Sequence, residues 1–214
     1  QLAHQNNSAP FLKEVSQINY QQTSLAYSYA YSLSKAHHNQ NDETAHFFAF
    51  SYESQLEEQH NEQINSYALA YAISKAYHGK TDLVAKSFAS KYITQIQKTK
   101  TDAYAHHYAS SIVYDRKPPQ EAEQFAITYE LQLINNKTQF FAYGYAISIA
   151  FDKKIPQIAE LFASIYERIS LSGRSNPYAI GYATSKIYGH MDPTLTGGTT
   201  DQIADLFANI YENQ

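Results

Sequence analysis

Residues Tyr67–Tyr92 read YALAYAISKAYHGKTDLVAKSFASKY and contain two apolar patterns separated by a short polar turn. Tyr67, Tyr71 and Ser74 are spaced so that all three lie on one face of an α-helix. After the turn, Ala85, Phe88 and Tyr92 show a second pattern of this kind. The segment is therefore predicted to form two antiparallel helices, which we call helix A and helix B.

The same landmarks recur along most of the chain, about every 37 residues. Each helix A begins with an aromatic residue and carries a serine, and each helix B carries a phenylalanine. The leading aromatic residues are Tyr27, Tyr67, Tyr104, Phe141 and Tyr178; the ladder serines are Ser34, Ser74, Ser111, Ser148 and Ser185; the helix-B phenylalanines are Phe48, Phe88, Phe125, Phe162 and Phe207. The repetition predicts an all-α fold, a right-handed α-solenoid of five two-helix repeats.

Residue types that start helices indicate the boundaries of the copies. Ser24, Thr138 and Ser175 precede leading aromatic residues and suit an N-cap, while Pro119 and Pro156 suit the first turn of helix B. We expect a single solenoid domain over residues 1–214, with repeats at about 24–60, 65–98, 101–135, 138–172 and 175–214. Helical spacing predicts one extra N-terminal helix at residues 10–20, and residues 191–200 are an insertion in the fifth copy.

Composition narrows the kinds of site that the chain could hold. Its 214 residues are 43% hydrophobic, with 20 Tyr and 11 Phe, which is enough for a sizeable core. The absence of cysteine excludes disulfides and thiolate chemistry. A net charge of -4 gives no general attraction to nucleic acid, and no apolar run approaches the roughly 18 residues of a membrane span. The histidines show no metal-binding spacing, so neither a metal nor a cofactor is expected.

The second copy carries, in order, Tyr77, Gly79, Asp82, Ala85 and Phe88. This order resembles the tyrosine, glycine, aspartate, alanine and aromatic pattern of the TPR and Sel1-like helical-repeat superfamily, and the Sel1-like form is the closer one. The resemblance covers most of the chain at the level of architecture. It implies a curved, non-catalytic scaffold that binds a protein or a peptide, usually on the surface lined by the A helices.

Two positions of helix A differ between copies but remain rather apolar. These groove positions are Tyr29, Leu33, Leu69, Ile73, His106, Ser110, Tyr143, Ile147, Ile180 and Thr184. They share a helix face turned away from Tyr71 and its equivalents. The resemblance implies that they line the ligand groove, and the alternative is that they pack against the adjacent repeat.

The turns between helix A and helix B carry basic residues that stacked repeats would align. This basic edge consists of Lys80, Arg116, Lys117, Lys153 and Lys154. It is either a solvated edge or a binding site for an acidic protein or a phosphate group. With the repeated tyrosines it favours an alternative function, the binding of single-stranded nucleic acid. The net charge opposes that alternative, as does the replacement of Lys35, Lys75 and Lys186 by Ile112 and Ile149 in the middle copies.

The last helix has no polar capping unit after it, so its apolar face is expected to drive self-association, unless the native protein continues or a partner covers this end. A third alternative is an enzyme built in the irregular fifth copy. Catalysis needs a convergent polar pocket, and no residue pattern in this chain indicates one. The sequence therefore predicts a protein that is not an enzyme.

Overall fold

The computed structural model describes residues 24–58, 64–189 and 200–213. All regular secondary structure in these ranges is helical, so the predicted all-α class is confirmed. The predicted N-terminal helix at residues 10–20 lies outside the described residues. So does the insertion at residues 191–200, except for Thr200.

The described ranges contain 10 helices. They are α1 (Leu25–Ala36), α2 (Asp42–Glu58), α3 (Ile64–Ala72), α4 (Asp82–Gln97), α5 (Asp102–Val113), α6 (Pro119–Ile134), α7 (Gln139–Ala146), α8 (Pro156–Leu171), α9 (Asn176–Tyr188) and α10 (Asp201–Glu212). Two of them, α3 and α7, continue as π-helical turns at Ile73–Tyr77 and Ile147–Phe151. The odd-numbered helices correspond to helix A of each copy, and the even-numbered helices correspond to helix B.

The chain divides into two compact units, Gln1–Ala105 and His106–Gln214. In the first unit α1, α2, α3 and α4 pack against one another in consecutive pairs. In the second unit α6, α7, α8, α9 and α10 do the same. Within each unit these helices therefore pack mainly against their neighbours in the chain.

The helix starts follow from the capping residues. The side chains of Ser24, Thr138, Ser175 and Thr200 each accept a hydrogen bond from a backbone N–H in the first turn of the helix that follows. Proline occupies the first turn of α6 and of α8. Backbone N–H groups in the first turn have no partner within the helix, so the missing N–H of proline removes no helical hydrogen bond.

The turn between helix A and helix B repeats one backbone geometry. One residue of the turn adopts the left-handed conformation, with φ of 49° at Asn39, 59° at Gly79, 53° at Arg116 and 55° at Lys153. The next backbone N–H donates to the carbonyl oxygen of the ladder serine of that copy, over 2.9 to 3.1 Å. Only one of these four turns contains glycine at the left-handed residue, so glycine spacing alone does not reveal the turn.

Aromatic stacking joins helix A of the second, fourth and fifth copies to the preceding helix B. The ring of Tyr77 stacks on Phe48, with centroids 5.0 Å apart and planes 6° from parallel. The rings of Tyr188 and Phe162 stack in the same way at 5.3 Å and 15°. The helix-B phenylalanines of the first four copies are all buried, with at most 2% of their surface exposed.

A hydroxyl contact accompanies the stack. The Tyr77 hydroxyl donates to Ser34 Oγ over 2.9 Å, and the Tyr188 hydroxyl lies 2.9 Å from Ser148 Oγ. The fourth copy has Phe151 at the equivalent place, stacked on Phe125 at 4.8 Å. Phe151 has no hydroxyl, and Ser111 Oγ is buried without a hydrogen-bond partner.

Phe151→Tyr is expected to stabilise the protein by about 1 kcal/mol, because the added hydroxyl would reach the unsatisfied Ser111 Oγ. Urea denaturation of the two proteins measures the difference. In a Ser111→Ala background the same substitution should bring no gain. An equal gain in both backgrounds would show that the new hydroxyl bonds elsewhere.

Candidate functional site

The groove positions are mostly half-buried. Tyr29 is the exposed exception, with 55% of its surface accessible, and Ile147 is buried. The other eight are intermediate in exposure: Leu33, Leu69, Ile73, His106, Ser110, Tyr143, Ile180 and Thr184. Half-burial leaves each of these eight side chains partly accessible.

In the first unit the structure brings several groove positions together against the core. Leu33, Leu69 and Ile73 pack against a buried cluster that includes Phe48 and Tyr52. The ring of Tyr29 lies at the edge of this cluster, 6.2 Å from the Tyr52 ring. Leu33, Leu69 and Ile73 are thus partly buried, and their remaining exposed surface is what a ligand could contact.

In the second unit Tyr143 lies among three aromatic rings. Its ring lies 5.5 Å from Phe125, 5.7 Å from Tyr166 and 6.0 Å from His107. Burial raises the pKa of the Tyr143 phenol above its ordinary value, and a hydrogen bond to Asn176 partly offsets that rise. Tyr143 therefore belongs to an aromatic cluster between helices rather than to an open surface.

His107 is a residue that the repeat pattern did not single out. At its place the other copies have small residues, namely Ala30, Ala70, Gly144 and Gly181. A Cβ atom on Gly144 would lie only 3.0 Å from Tyr166 Cδ1, so this is a place where helix A and helix B approach closely. The departure from small residues in one copy was the signal that could have revealed it.

The surroundings of His107 disfavour its charged form. Its ring centroid lies 3.8 Å from that of Tyr129 and 5.6 Å from that of Phe125. Burial, together with the neighbouring His106, lowers the pKa of His107 to about 3. The imidazole is therefore neutral at physiological pH and acts as an aromatic packing group.

The basic edge is largely engaged in contacts within the chain. Lys117 Nζ lies 4.5 Å above the Phe151 ring, and Lys154 Nζ lies 4.8 Å above the Tyr188 ring. Lys153 pairs with Glu121 at 3.4 Å and also donates to the Ala150 carbonyl oxygen. Arg116 is exposed and Lys80 is half-buried. Most of these cations thus help to hold neighbouring helices together.

A second set of cations lies at the turns between helix B and the next helix A. Each stands over the leading aromatic residue of its own copy: Lys100 over Tyr104 at 4.7 Å, Lys137 over Phe141 at 4.8 Å, and Arg174 over Tyr178 at 4.7 Å. Sequence reasoning missed this set. Its signal is a basic residue one helical turn before the leading aromatic residue in three successive copies.

A tyrosine, a lysine and an aspartate meet where helix B begins. The Tyr71 hydroxyl donates to Asp82 Oδ1 over 3.1 Å, and Lys75 Nζ donates to the same oxygen over 2.6 Å. The hydrogen bond from Lys75 holds the pKa of Asp82 below its ordinary value. The same arrangement recurs in the first copy as Tyr31, Lys35 and Asp42, and in the fifth as Tyr182, Lys186 and Asp201.

The middle copies replace both charged partners at once. Ile112 and Ile149 stand in place of the lysine, and Pro119 and Pro156 stand in place of the aspartate. Replacing only the lysine or only the aspartate would leave the other without its ion-pair partner. Replacing both in the same copy avoids this loss. The groups therefore form a structural ion pair at the start of helix B.

We expect Lys75→Ile and Asp82→Pro to be coupled. The loss of unfolding free energy in the double variant should be smaller than the sum of the two single losses. The difference, the coupling free energy, should be about 0.5–1 kcal/mol, as for a partly exposed ion pair. A double-mutant cycle in urea denaturation measures this value. The coupling should shrink at high salt, and strict additivity at low salt would contradict the assignment.

Two further properties bear on the site. Within residues 24–58, 64–189 and 200–213, no group of three or more His, Cys, Asp and Glu side chains could hold a metal ion. None of the helices in the described part of the chain combines the length and the apolar character that crossing a membrane requires.

Comparisons with known proteins add no relative. No protein-family model matches this chain, and searches of the curated proteins and of the solved structures give no significant match. The contacts described above are therefore the basis of the functional argument.

Proposed function

We propose that this chain is a non-catalytic scaffold that binds a protein or an extended peptide along its A helices. In this proposal the helices form a right-handed α-solenoid of five two-helix repeats, related to the TPR and Sel1-like superfamily. The recurring stack of Tyr77 on Phe48 and of Tyr188 on Phe162 supports regular repeats, because the same contact spaces successive copies equally.

The observation that carries the proposal is that side-chain chemistry varies at the groove positions while the turn hydrogen bonds and the aromatic stacks of the repeats recur. The pair is His106 and Ser110 in α5, and it is Ile180 and Thr184 in α9. All four side chains are half-exposed. A constant helical framework that carries a different side-chain pair in each copy can contact a different segment of an extended ligand with each copy.

The half-burial of the groove positions limits which ligand side chains they can contact. Leu33, Leu69 and Ile73 are held by the core, so they form the base of the proposed surface. Tyr29 stands at one end and offers most of an aromatic ring. Such a surface favours a ligand with small or flat apolar side chains over one that inserts a bulky anchor.

The alternative, binding of single-stranded nucleic acid, has less support. Such binding uses free cations for the backbone and open aromatic faces for the bases. Here Lys117 and Lys154 already cover the faces of Phe151 and Tyr188. The net charge of -4 adds no long-range attraction.

Selection of binders from a random peptide library against the folded chain tests the proposal. Two groove variants, Tyr29→Ala and Thr184→Arg, should each weaken the selected peptides by about tenfold or more, since each alters the proposed surface. Their matched controls are Phe50→Ala and Thr94→Arg, which change exposed residues of helix B in the same way.

The controls should bind like the original chain, and thermal melts should show that all four variants fold. Selected peptides that bind both groove variants as tightly as the original chain would overturn the groove. Peptides that lose affinity with the helix-B variants instead would place the binding surface on the outer helices.

A further inference from the structure

The last described helix presents the face that the preceding helix B buries. Ile203, Phe207, Ile210 and Tyr211 of α10 correspond to Ile158, Phe162, Ile165 and Tyr166 of α8. Phe162 is 0% exposed and Tyr166 is 3% exposed, whereas Phe207 is 42% exposed and Tyr211 is 43% exposed. Identical residue types in equivalent places thus differ in whether a helix of the described ranges covers them.

Covered copies show what kind of helix fits this face. On α2, the covering helix is α3, whose Ala68 and Ala72 pack into the core cluster with Phe48. Its last aromatic residue, Tyr77, stacks flat on the same phenylalanine. Small residues on successive turns let the two backbones approach, and the aromatic ring closes the far end of the contact.

The helix α9 has the same features where it follows α8. Ala179 and Ala183 are fully buried, and Tyr188 stacks on Phe162. The covering pattern is therefore two small residues four positions apart, followed five positions later by an aromatic residue.

The first described helix, α1, of a second molecule of this protein does not match this pattern. In α1 the two small positions are Ser28 and Ser32, both exposed, and the aromatic position is His37. The hydroxyls of Ser28 and Ser32 would lose their hydrogen bonds to water against the apolar face of α10 and would gain no new partner. End-to-end association of two molecules, with α1 of one on α10 of the other, is therefore disfavoured.

A symmetric pair of α10 helices is also disfavoured. The exposed face consists of four side chains on a helix of 12 residues. The small residues of this helix, Ala204 and Ala208, are fully buried on its covered side. Two α10 helices would therefore meet through large side chains alone, without the small residues that let α3 and α9 approach closely. A single helix that fits between the α10 side chains, as α9 fits on α8, makes fuller use of the same surface.

We propose that the apolar face of α10 docks an α-helix of a partner protein that carries this small–small–aromatic pattern, with its aromatic ring stacked on Phe207. The face continues the series of interfaces that α2 and α8 make within the chain. The inference does not rest on the groove, because no groove position lies on α10.

A fluorescent peptide with the sequence of residues 175–189, which contains Ala179, Ala183 and Tyr188, is a direct probe. Added to the full chain, it should bind saturably and raise the fluorescence anisotropy. Phe207→Asp in the chain should weaken binding by about tenfold or more, as should Tyr188→Ala in the peptide.

Leu206→Asp is the matched control in the chain. Its equivalent, Leu161, is 55% exposed on a helix that is covered, so this position lies outside the docking face. The control should bind the peptide like the original chain. Thr184→Arg should also leave binding unchanged, which separates this face from the proposed groove.

Two outcomes would overturn the proposal. The first is peptide binding that Phe207→Asp does not weaken, or no binding up to about 1 mM, the weak end of specific affinities. The second is a dimer in sedimentation experiments that Phe207→Asp dissociates, because the occupant of the face would then be a second copy of this chain.

Discussion

Phe162→Ala is expected to lower the free energy of unfolding by about 3–5 kcal/mol, the usual cost of truncating a buried phenylalanine. The Phe162 side chain is completely buried and stacks on Tyr188 across the contact between α8 and α9. Truncation removes the apolar area and leaves a cavity that the flanking alanines are too short to fill. Urea denaturation of the full chain, followed by far-ultraviolet circular dichroism, measures the loss.

The repeat provides a matched control for this experiment. Phe207 is the equivalent residue of the fifth copy, with the same helix and the same flanking alanines, but it is 42% exposed. Phe207→Ala should cost only about 1 kcal/mol, because much of its surface is already in water. Equal losses for the two variants would mean that Phe207 is covered in solution, by self-association or by another part of the protein.

The helical class and most helix limits could be predicted from the sequence, because they depend on local patterns. The spacing of Tyr67, Tyr71 and Ser74 fixes a helix period, and caps such as Ser24 and Thr138 satisfy first-turn N–H groups that would otherwise lack partners. These features need no knowledge of what the helix contacts.

Turn geometry was harder to predict. The left-handed residue of the turn is glycine in the second copy but Arg116 and Lys153 in the third and fourth. Thr99 is also left-handed, with φ of 59°, although β-branched residues disfavour that region. The hydrogen bond to the ladder serine carbonyl outweighs the intrinsic preference at Arg116 and Lys153, and sequence patterns do not show this competition.

The groove positions show a different limit. Their helix face was predicted from periodicity, but periodicity does not say how closely the next helix approaches. Leu69 and Ile73 look the same in sequence whether they bind a ligand or pack against α2, since both environments favour apolar side chains. Comparison of copies was the stronger source of information, as the joint change of Lys75 and Asp82 to Ile112 and Pro119 shows.

The free energy of unfolding should fall as the pH drops from about 6.5 to about 4.5, with His107 contributing about 2 kcal/mol of that loss. Burial among Tyr129, Phe125 and Tyr143 and the neighbouring His106 lower its pKa to about 3, while the ordinary value of 6.5 applies in the unfolded chain. Between those two values the unfolded state binds the proton and the folded state does not. The contribution is therefore complete above pH 6.5 and is lost progressively below it.

His107→Ala isolates this contribution, because alanine is the residue that the first two copies have at the equivalent place. Urea denaturation at several pH values should give a flatter profile for the variant. A smaller slope should remain, since burial also lowers the pKa of His38 and of His78. The lysine-paired carboxylates, such as Asp82, have lowered pKa values and lose their contribution only at more acidic pH. An unchanged slope in His107→Ala would mean that water reaches the imidazole and that the aromatic cluster opens in solution.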